Sequence, residues 1–183
     1  MSSIDPFDPK DRQVVIPAKD ERADPPYLQG ERAMLESFLE WHRETLAFKC
    51  AGLDTAQLRE RAVPPSTLSL LGLVRHMADV ERFWFRVVLD GQDATAHYWS
   101  EKSPDGDFDE VDTADAEASV ATWREEVALA RQLAEARGLD DTGTRRGEPV
   151  PLRWIYIHMV EEYARHNGHA DLLRERIDGA KGE

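Results

Sequence analysis

The amino-acid sequence predicts an all-α protein whose single domain is a four-helix bundle. Apolar residues recur at spacings of three and four in four long segments, and glycine or proline marks the ends of those segments. Apart from Val14–Ile16, no segment shows the alternation of β-branched residues that is typical of strands. With 183 residues, of which 41% are hydrophobic, the chain is long enough to bury one substantial core.

The predicted elements follow in chain order. Residues 1–29 contain five prolines and no periodicity, which predicts an irregular N-terminal arm before a helical domain at 30–183. Helices are expected at about 31–50, from Ser66 or Ser69 to Leu89, from Thr113 or Asp115 to Gly138, and from Pro151 to about Ile177. Two long loops are expected between them, one in the nineties and early hundreds and one from Asp140 to Pro149.

The charge and the single cysteine exclude several classes of protein. A net charge of −13 opposes binding to the phosphates of nucleic acid. No apolar run approaches the ~20 residues that span a bilayer, and the N-terminus lacks the basic-then-apolar pattern of a signal peptide. Cys50 is alone, so no disulfide framework is expected. We therefore expect a cytoplasmic protein that binds neither nucleic acid nor membrane.

The first of the two predicted loops is acidic and contains a run that resembles a calcium-binding loop. Residues 90–117 hold ten carboxylates and one base, and the run Asp105-Gly-Asp-Phe-Asp109 looks like the start of an EF-hand loop. An EF-hand needs glycine at its sixth position and glutamate at its twelfth. These positions are Glu110 and Ala116, so we reject the calcium site and interpret the segment as a solvated loop.

Polar residues interrupt two apolar helix faces. On the last helix, spacings of three and four place one set of residues on a single side: Ile155, His158, Glu162, His166, His169 and Leu173. On the second helix, His76 interrupts an otherwise apolar stripe. A buried carboxylate beside imidazoles is costly unless it is paired or bound to metal. Two imidazoles and one carboxylate form a known catalytic ligand set for zinc.

The pattern alone leaves a metal-free alternative open. A lone histidine on an apolar stripe, such as His76, is more often a hydrogen-bonded core residue than a ligand. Glu162 and His166, four residues apart, also have the spacing of a helix-surface ion pair.

A resemblance to a known family bears on this choice. Residues 68–86 and 151–179 are similar to the two signature helices of the DinB/YfiT-like superfamily of metalloenzymes. They most resemble the mini-circle protein branch, near the mycothiol-dependent maleylpyruvate isomerases. The resemblance implies a four-helix bundle with one divalent ion, held by a histidine on helix 2 and a pair spaced i,i+4 on the last helix. The family's His-x-Gly-x element falls on His166–His169, so the implied ligands are His76, Glu162 and His166.

The same resemblance implies a function. Zinc fits the implied ligands best, with nickel or iron as alternatives, and a low-molecular-weight thiol is the implied co-substrate. The hypothesis is a metal-dependent enzyme acting on a small molecule, as a thiol-dependent transferase or isomerase. The first alternative is a non-catalytic metal- or ligand-binding bundle, and the second is a purely structural helical protein. The expected partners are a small-molecule substrate and, as an open alternative, a second copy of the chain in a homodimer.

Other histidines and Cys50 have weaker claims to a function. His158 and His169 share the face of the implied ligands, so each is expected either to replace a ligand or to hydrogen-bond one. His42 is interpreted as a core or rim residue and His97 as an anchor of the acidic loop. Cys50 is interpreted as an unreactive thiol near a helix end, because no base is identifiable beside it.

Overall fold

The computed structural model describes residues 14–20 and 22–181, so residues 1–13 of the predicted arm lie outside the described residues. Four helices are long: α1 (Glu31–Cys50), α3 (Leu70–Glu81), α5 (Ala116–Glu135) and α6 (Leu152–Asp178). A π-helical segment, Arg82–Leu89, continues α3 without a break. Two helices are short, α2 (Thr55–Arg59) and α4 (Gly106–Asp109), and a 3₁₀ turn covers Val111–Thr113. The mostly helical class predicted from the sequence is confirmed.

The bounds of the long helices agree with the sequence because local signals set them. The Ser69 hydroxyl accepts a hydrogen bond from the backbone N–H of Gly72 and caps the start of α3. Asp115 caps α5 in the same way through the N–H of Ala118. At the other end of α6, Gly179 has φ +81°, a left-handed conformation that closes the helix.

The long helices pack in two parallel pairs. α1 and α6 run in the same direction, as two ion pairs show. Arg153 pairs with Glu31 where both helices start, and Lys49 pairs with Asp171 near their ends. α3 and α5 also run in the same direction, since Arg82 at the end of α3 pairs with Glu126 within α5, and Asp90, further along the chain, pairs with Arg137 just after α5.

The two pairs run opposite to each other. His76 on α3 faces His166 in the second half of α6. Trp84, which follows in the π-helical segment, contacts Trp154 near the start of α6, so the chain of α3 runs against that of α6. The polar residues of the second and last predicted helices therefore meet where α3 faces α6.

The second predicted loop is wrong in part, because residues 142–151 form a hairpin. β1 (Thr142–Arg145) pairs antiparallel with β2 (Glu148–Pro151). The two-residue turn between them has positive φ at both Arg146 and Gly147, as a type I′ turn requires. The hairpin packs on the end of the π-helical segment so closely that a Cβ at Gly143 would collide with the backbone of Val88 and Leu89.

A buried network of hydrogen bonds, built on one ion pair, joins the four long helices. Arg43 on α1 donates to both oxygens of Glu81 on α3, at 2.8 and 2.6 Å, and both side chains are buried. Tyr163 on α6 donates to Glu81 at 2.8 Å and accepts from Trp123 on α5 at 2.9 Å. Apolar side chains surround this network. Among the described residues, no helix combines the length and apolarity needed to cross a membrane.

Candidate metal centre

Three side chains from two helices converge where α3 faces α6. His76 on α3 and Glu162 and His166 on α6 each offer one ligand atom, and these atoms lie within 4.8 Å of one another. The imidazoles of His76 and His166 are close, with ring centroids 4.7 Å apart. All three residues are half-buried. Two neutral imidazoles and a carboxylate suit a divalent ion such as zinc, so the donor set fits the ion that the resemblance implies.

His76 is held in place by Asp107. The Nδ1 of His76 lies 2.8 Å from Oδ2 of Asp107, a buried carboxylate in α4. A carboxylate at Nδ1 favours the tautomer with the proton on that nitrogen, which leaves the lone pair on Nε2. The ring also stacks on Phe108 at a centroid distance of 5.2 Å. His76 therefore has the orientation and the free nitrogen that a metal ligand needs.

The segment that carries Asp107 is fastened to α3. Arg75 is buried, and its guanidinium donates to the carbonyls of Gly106 and Asp107 at 2.9 and 3.0 Å. The same guanidinium lies over the ring of Tyr98 at 4.0 Å. Gly106 fits closely, because a Cβ there would collide with the carbonyl of Tyr98. These contacts hold the carboxylate of Asp107 against His76, the residue that follows Arg75 on α3.

The histidines around Glu162 hold its pKa below the ordinary value for a glutamate. The hydrogen bond from His166 lowers the pKa of Glu162, burial raises it, and the nearby His158 and His76 lower it further. The net direction is downward, so Glu162 is a carboxylate at neutral pH. A carboxylate, rather than a carboxylic acid, is the form that binds a cation.

His169 and His158 occupy different places around the candidate ligands. His169 Nδ1 lies 3.4 Å from Nδ1 of His166, the ring nitrogen that does not face Glu162. Burial, the nearby His166 and Arg165 lower the pKa of His169. A neutral His169 can accept a hydrogen bond from the Nδ1–H of His166, which is the arrangement of a residue that orients a ligand.

His158 belongs to a second group of candidate ligands with Glu161 and Glu162, again within 4.8 Å. Glu161 is exposed and already forms an ion pair with Arg165. The His158 ring is stacked on Trp154, with centroids 4.9 Å apart and an interplanar angle of 19°. The group around His76 is the better candidate, because all its members are half-buried and they come from two helices.

The remaining residues singled out in the sequence lie elsewhere. His97 anchors the acidic loop, since its Nε2 lies 2.8 Å from Glu126 and its backbone N–H donates to Asp79. His42 is half-buried on α1, and its carbonyl accepts from Asn167 at 3.0 Å. Cys50 is fully buried, and burial raises the pKa of its thiol to about 12. Cys50 is therefore not a nucleophile at neutral pH.

The interpretation of residues 90–117 as a solvated loop is wrong at Asp107, which is buried against His76. Its ten carboxylates indicate solvent for the segment as a whole, but one of them is used inside the fold. One signal in the sequence pointed the other way: Asp107 is flanked by Gly106 and Phe108, a small and an aromatic residue suited to a packed segment.

A cavity of about 400 Å³ opens beside His76. The π-helical segment contributes Phe83 and Trp84 to its wall, and the acidic loop contributes Trp99 and Phe108. A small molecule bound there would contact the His76 ring directly.

Comparison with known proteins identifies one family. The family model described as mycothiol-S-transferase matches residues 34–179, which include both signature helices and all three candidate ligands. No curated protein and no solved structure matches the chain.

Proposed function

The chain belongs to the mycothiol-S-transferase family, a DinB/YfiT-like family, and we propose that it is a metal-dependent transferase that joins a low-molecular-weight thiol to a small electrophile. The observation that carries this proposal is the convergence of His76, Glu162 and His166 from two helices. In the reaction, the thiol loses its S–H proton to solvent, and a carbon–sulfur bond forms as the leaving group departs with its electron pair.

His76, Glu162 and His166 would hold the ion. When bound to three protein ligands, a divalent ion keeps an open coordination position and lowers the pKa of a thiol placed there. Asp107 would orient the His76 ring, and His169 would orient the ring of His166. His158 is part of another group and His169 faces the outer nitrogen of His166, which supports a shell of three protein ligands over a closed shell of four.

The thiol must come from outside the chain. Cys50 is the only cysteine, and its burial and raised pKa keep it out of the chemistry. The family points to mycothiol as that thiol. The buried thiol of Cys50 favours a transferase that binds a thiol co-substrate over an enzyme with its own cysteine nucleophile.

We propose zinc as the ion and the four-helix bundle of the DinB/YfiT-like type as the arrangement of α1, α3, α5 and α6. Two histidines and one glutamate form a ligand set found in catalytic zinc sites. The two parallel pairs, packed in opposite directions, are compatible with such a bundle. The domain boundary at residue 30, the homodimer and the cytoplasmic location stay predictions from the sequence.

The test is metal content and activity of untagged protein. We expect about one zinc ion per chain by elemental analysis, and conjugation of mycothiol to 1-chloro-2,4-dinitrobenzene that a chelator abolishes and zinc restores. His166→Ala should lose most of the metal and keep its helical content, whereas His97→Ala should keep the metal. If the protein is purified without metal and does not bind added zinc, nickel or iron, the proposed metal site is wrong. A protein that holds zinc at an exchangeable site but transfers no thiol would favour the non-catalytic binding bundle.

A further inference from the structure

The guanidinium of Arg145, at the end of β1, is half-buried and has no oxygen partner among the described residues. The chain carries 36 acidic residues against 23 lysines and arginines, and most of its described arginines pair with a carboxylate, as Arg43 and Arg137 do. Glu148 lies directly opposite Arg145 on β2, but the two side chains form no ion pair. The N–H groups of this guanidinium are therefore available to a ligand.

Two aromatic rings and the hairpin hold Arg145 in place. Its guanidinium carbon lies 4.9 Å from the centre of the Trp84 ring and 5.7 Å from the centre of the Phe83 ring. A ring face attracts a cation but offers no oxygen to its N–H groups. The hairpin adds a second restraint, because β1 packs at Gly143 against the backbone of the π-helical segment. The fold thus fixes the position of this cation without using its hydrogen bonds.

Both rings beneath Arg145 also line the cavity beside His76. Phe83 is partly exposed at the cavity rim, whereas Trp84 is buried. A flat compound can pack against such rings by stacking and by burial of apolar area. A compound that lies against Phe83 and Trp84 has the guanidinium of Arg145 beside these rings and His76 on the wall of the same cavity.

The acidic residues of the cavity do not cancel this cation. Asp79 accepts from the three consecutive backbone N–H groups of residues 97–99, at 2.6, 2.9 and 3.1 Å. Asp107 is bonded to His76. Asp105 is exposed, so solvent and salt screen its charge. A divalent ion at His76 would add positive charge, and a carboxylate in the cavity would then be attracted by both the ion and the guanidinium.

From these contacts we infer that Arg145 is a specificity-determining residue: it binds a carboxylate of the small electrophile while the flat body of that compound packs against Phe83 and Trp84. A guanidinium suits this role because its planar N–H groups donate two parallel hydrogen bonds to one carboxylate. The inference rests on the proposed function for the word electrophile, whereas the binding of a carboxylate depends on the cavity and Arg145.

The experiment measures binding of two unreactive probes to zinc-loaded protein by equilibrium dialysis, without thiol. The probes are 3-nitrobenzoate and 3-nitrobenzamide, which have nearly the same shape and differ in charge. We expect the carboxylate probe to bind about tenfold more tightly than the amide probe, as a charge-assisted hydrogen bond predicts. The zinc content of each sample is measured as well, so a failure of the metal site is seen separately. Because neither probe reacts, the result does not depend on whether the protein transfers a thiol.

The readout for the variants is the ratio of the two affinities, which a general loosening of the hairpin would not change. Arg145→Gln should remove most of the preference for the carboxylate, and Arg145→Lys should keep part of it, since the charge remains but the paired donors are lost. The matched control is Arg146→Gln, which removes the same charge from the neighbouring, exposed position of the turn and should leave the ratio as in the parent.

The place of binding is tested at the opposite side of the cavity wall, in the acidic loop. Trp99→Ala should weaken both probes by about the same factor, three- to tenfold, because it removes a ring that lines the cavity. Leu172→Ala, an exposed apolar change on α6 outside the cavity, should weaken neither.

Four results would overturn the inference. Equal binding of the two probes to the parent would show that the cavity does not select a carboxylate. A preference that survives in Arg145→Gln would mean that the ion alone binds the carboxylate. An equal loss in Arg146→Gln would mean that the preference comes from the general charge of the hairpin. Unchanged binding in Trp99→Ala would place both probes outside the cavity.

Discussion

The Asp107 carboxylate determines what His76 can do. An imidazole on an apolar helix face can rotate and can carry its proton on either nitrogen. The contact of Asp107 with Nδ1, at 2.8 Å, fixes both the ring and the tautomer. Because Asp107 is buried and its segment is bonded to Arg75, this contact is maintained by the fold rather than by solvent-exposed side chains.

At this scale we predict that Asp107→Ala lowers zinc affinity by about 10–100-fold, the usual effect of losing a partner of a metal-bound histidine. Affinity is measured by competition with a chromophoric chelator. Asp109→Ala, two residues away and exposed, is the control and should keep the affinity of the parent. Asp107→Asn should recover part of the loss, because the amide oxygen still accepts from Nδ1. An unchanged affinity in Asp107→Ala would show that the residue does not orient a ligand.

At the scale of single elements, the sequence predicts what local chemistry decides. The start of α3 follows from the Ser69 cap, and the end of the π-helical segment that continues it follows from Gly91 at φ +70°. The π-helical segment was predicted only as more helix, because a bond such as that from the N–H of Asp90 to the carbonyl of Phe85 leaves no mark in apolar periodicity. The hairpin was predicted as a loop because β1 and β2 are four residues each, polar, and contain Pro149 and Pro151.

In the candidate site, too, the sequence predicts what local spacing decides and misses what tertiary packing decides. The polar residues Glu162 and His166 could be placed on one face of α6 by spacing, and the family resemblance chose them over their neighbours. The partner of His76 lies 31 residues away in the chain, in a segment whose acidic composition indicated solvent. Pairing over that distance is set by tertiary packing, so the sequence could not predict Asp107.

Two helical glycines give a prediction at this scale. Gly168 is exposed in α6, and a Cβ there would meet no atom within 4 Å. Gly168→Ala should therefore raise the free energy of unfolding by about 0.5–1 kcal/mol, through lower backbone entropy in the unfolded chain. Chemical denaturation measures the change.

The matched control is Gly72→Ala in α3. Its Cβ would lie 2.8 Å from a ring carbon of Phe108 and 3.2 Å from Oγ of Ser69. We expect a loss of about 1–3 kcal/mol there, as for other overpacked positions. A gain at both positions would mean that the contact of Phe108 with α3 is loose, and a loss at both would mean that Gly168 has a packing role that its open surroundings do not indicate.

At the scale of the whole molecule, one buried network ties the four long helices. Arg43, Glu81, Tyr163 and Trp123 come from α1, α3, α6 and α5 in turn. Glu81 depends on Arg43, because its fully buried carboxylate would otherwise have no opposite charge beside it, whereas Arg43 also forms an ion pair with Glu40 at 2.6 Å. The network also fixes how α1 lies along α3, because the two parallel hydrogen bonds from Arg43 to Glu81 require one alignment of the two helices.

The last prediction concerns this network. Arg43→Met should lower the free energy of unfolding by about 3–5 kcal/mol, since it leaves Glu81 buried and unpaired. The double variant Arg43→Met/Glu81→Leu should recover much of that loss, but not all, because the hydroxyl of Tyr163 then loses its acceptor. Arg124→Met is the control: it breaks a partly exposed pair with Glu44 and should cost at most about 1 kcal/mol. Denaturant titration of the four proteins measures all these values. If Arg43→Met cost no more than Arg124→Met, the buried pair would not be what holds the helices together. If the double variant were no more stable than Arg43→Met, the loss would come from the packing of the Arg43 side chain rather than from an uncompensated charge.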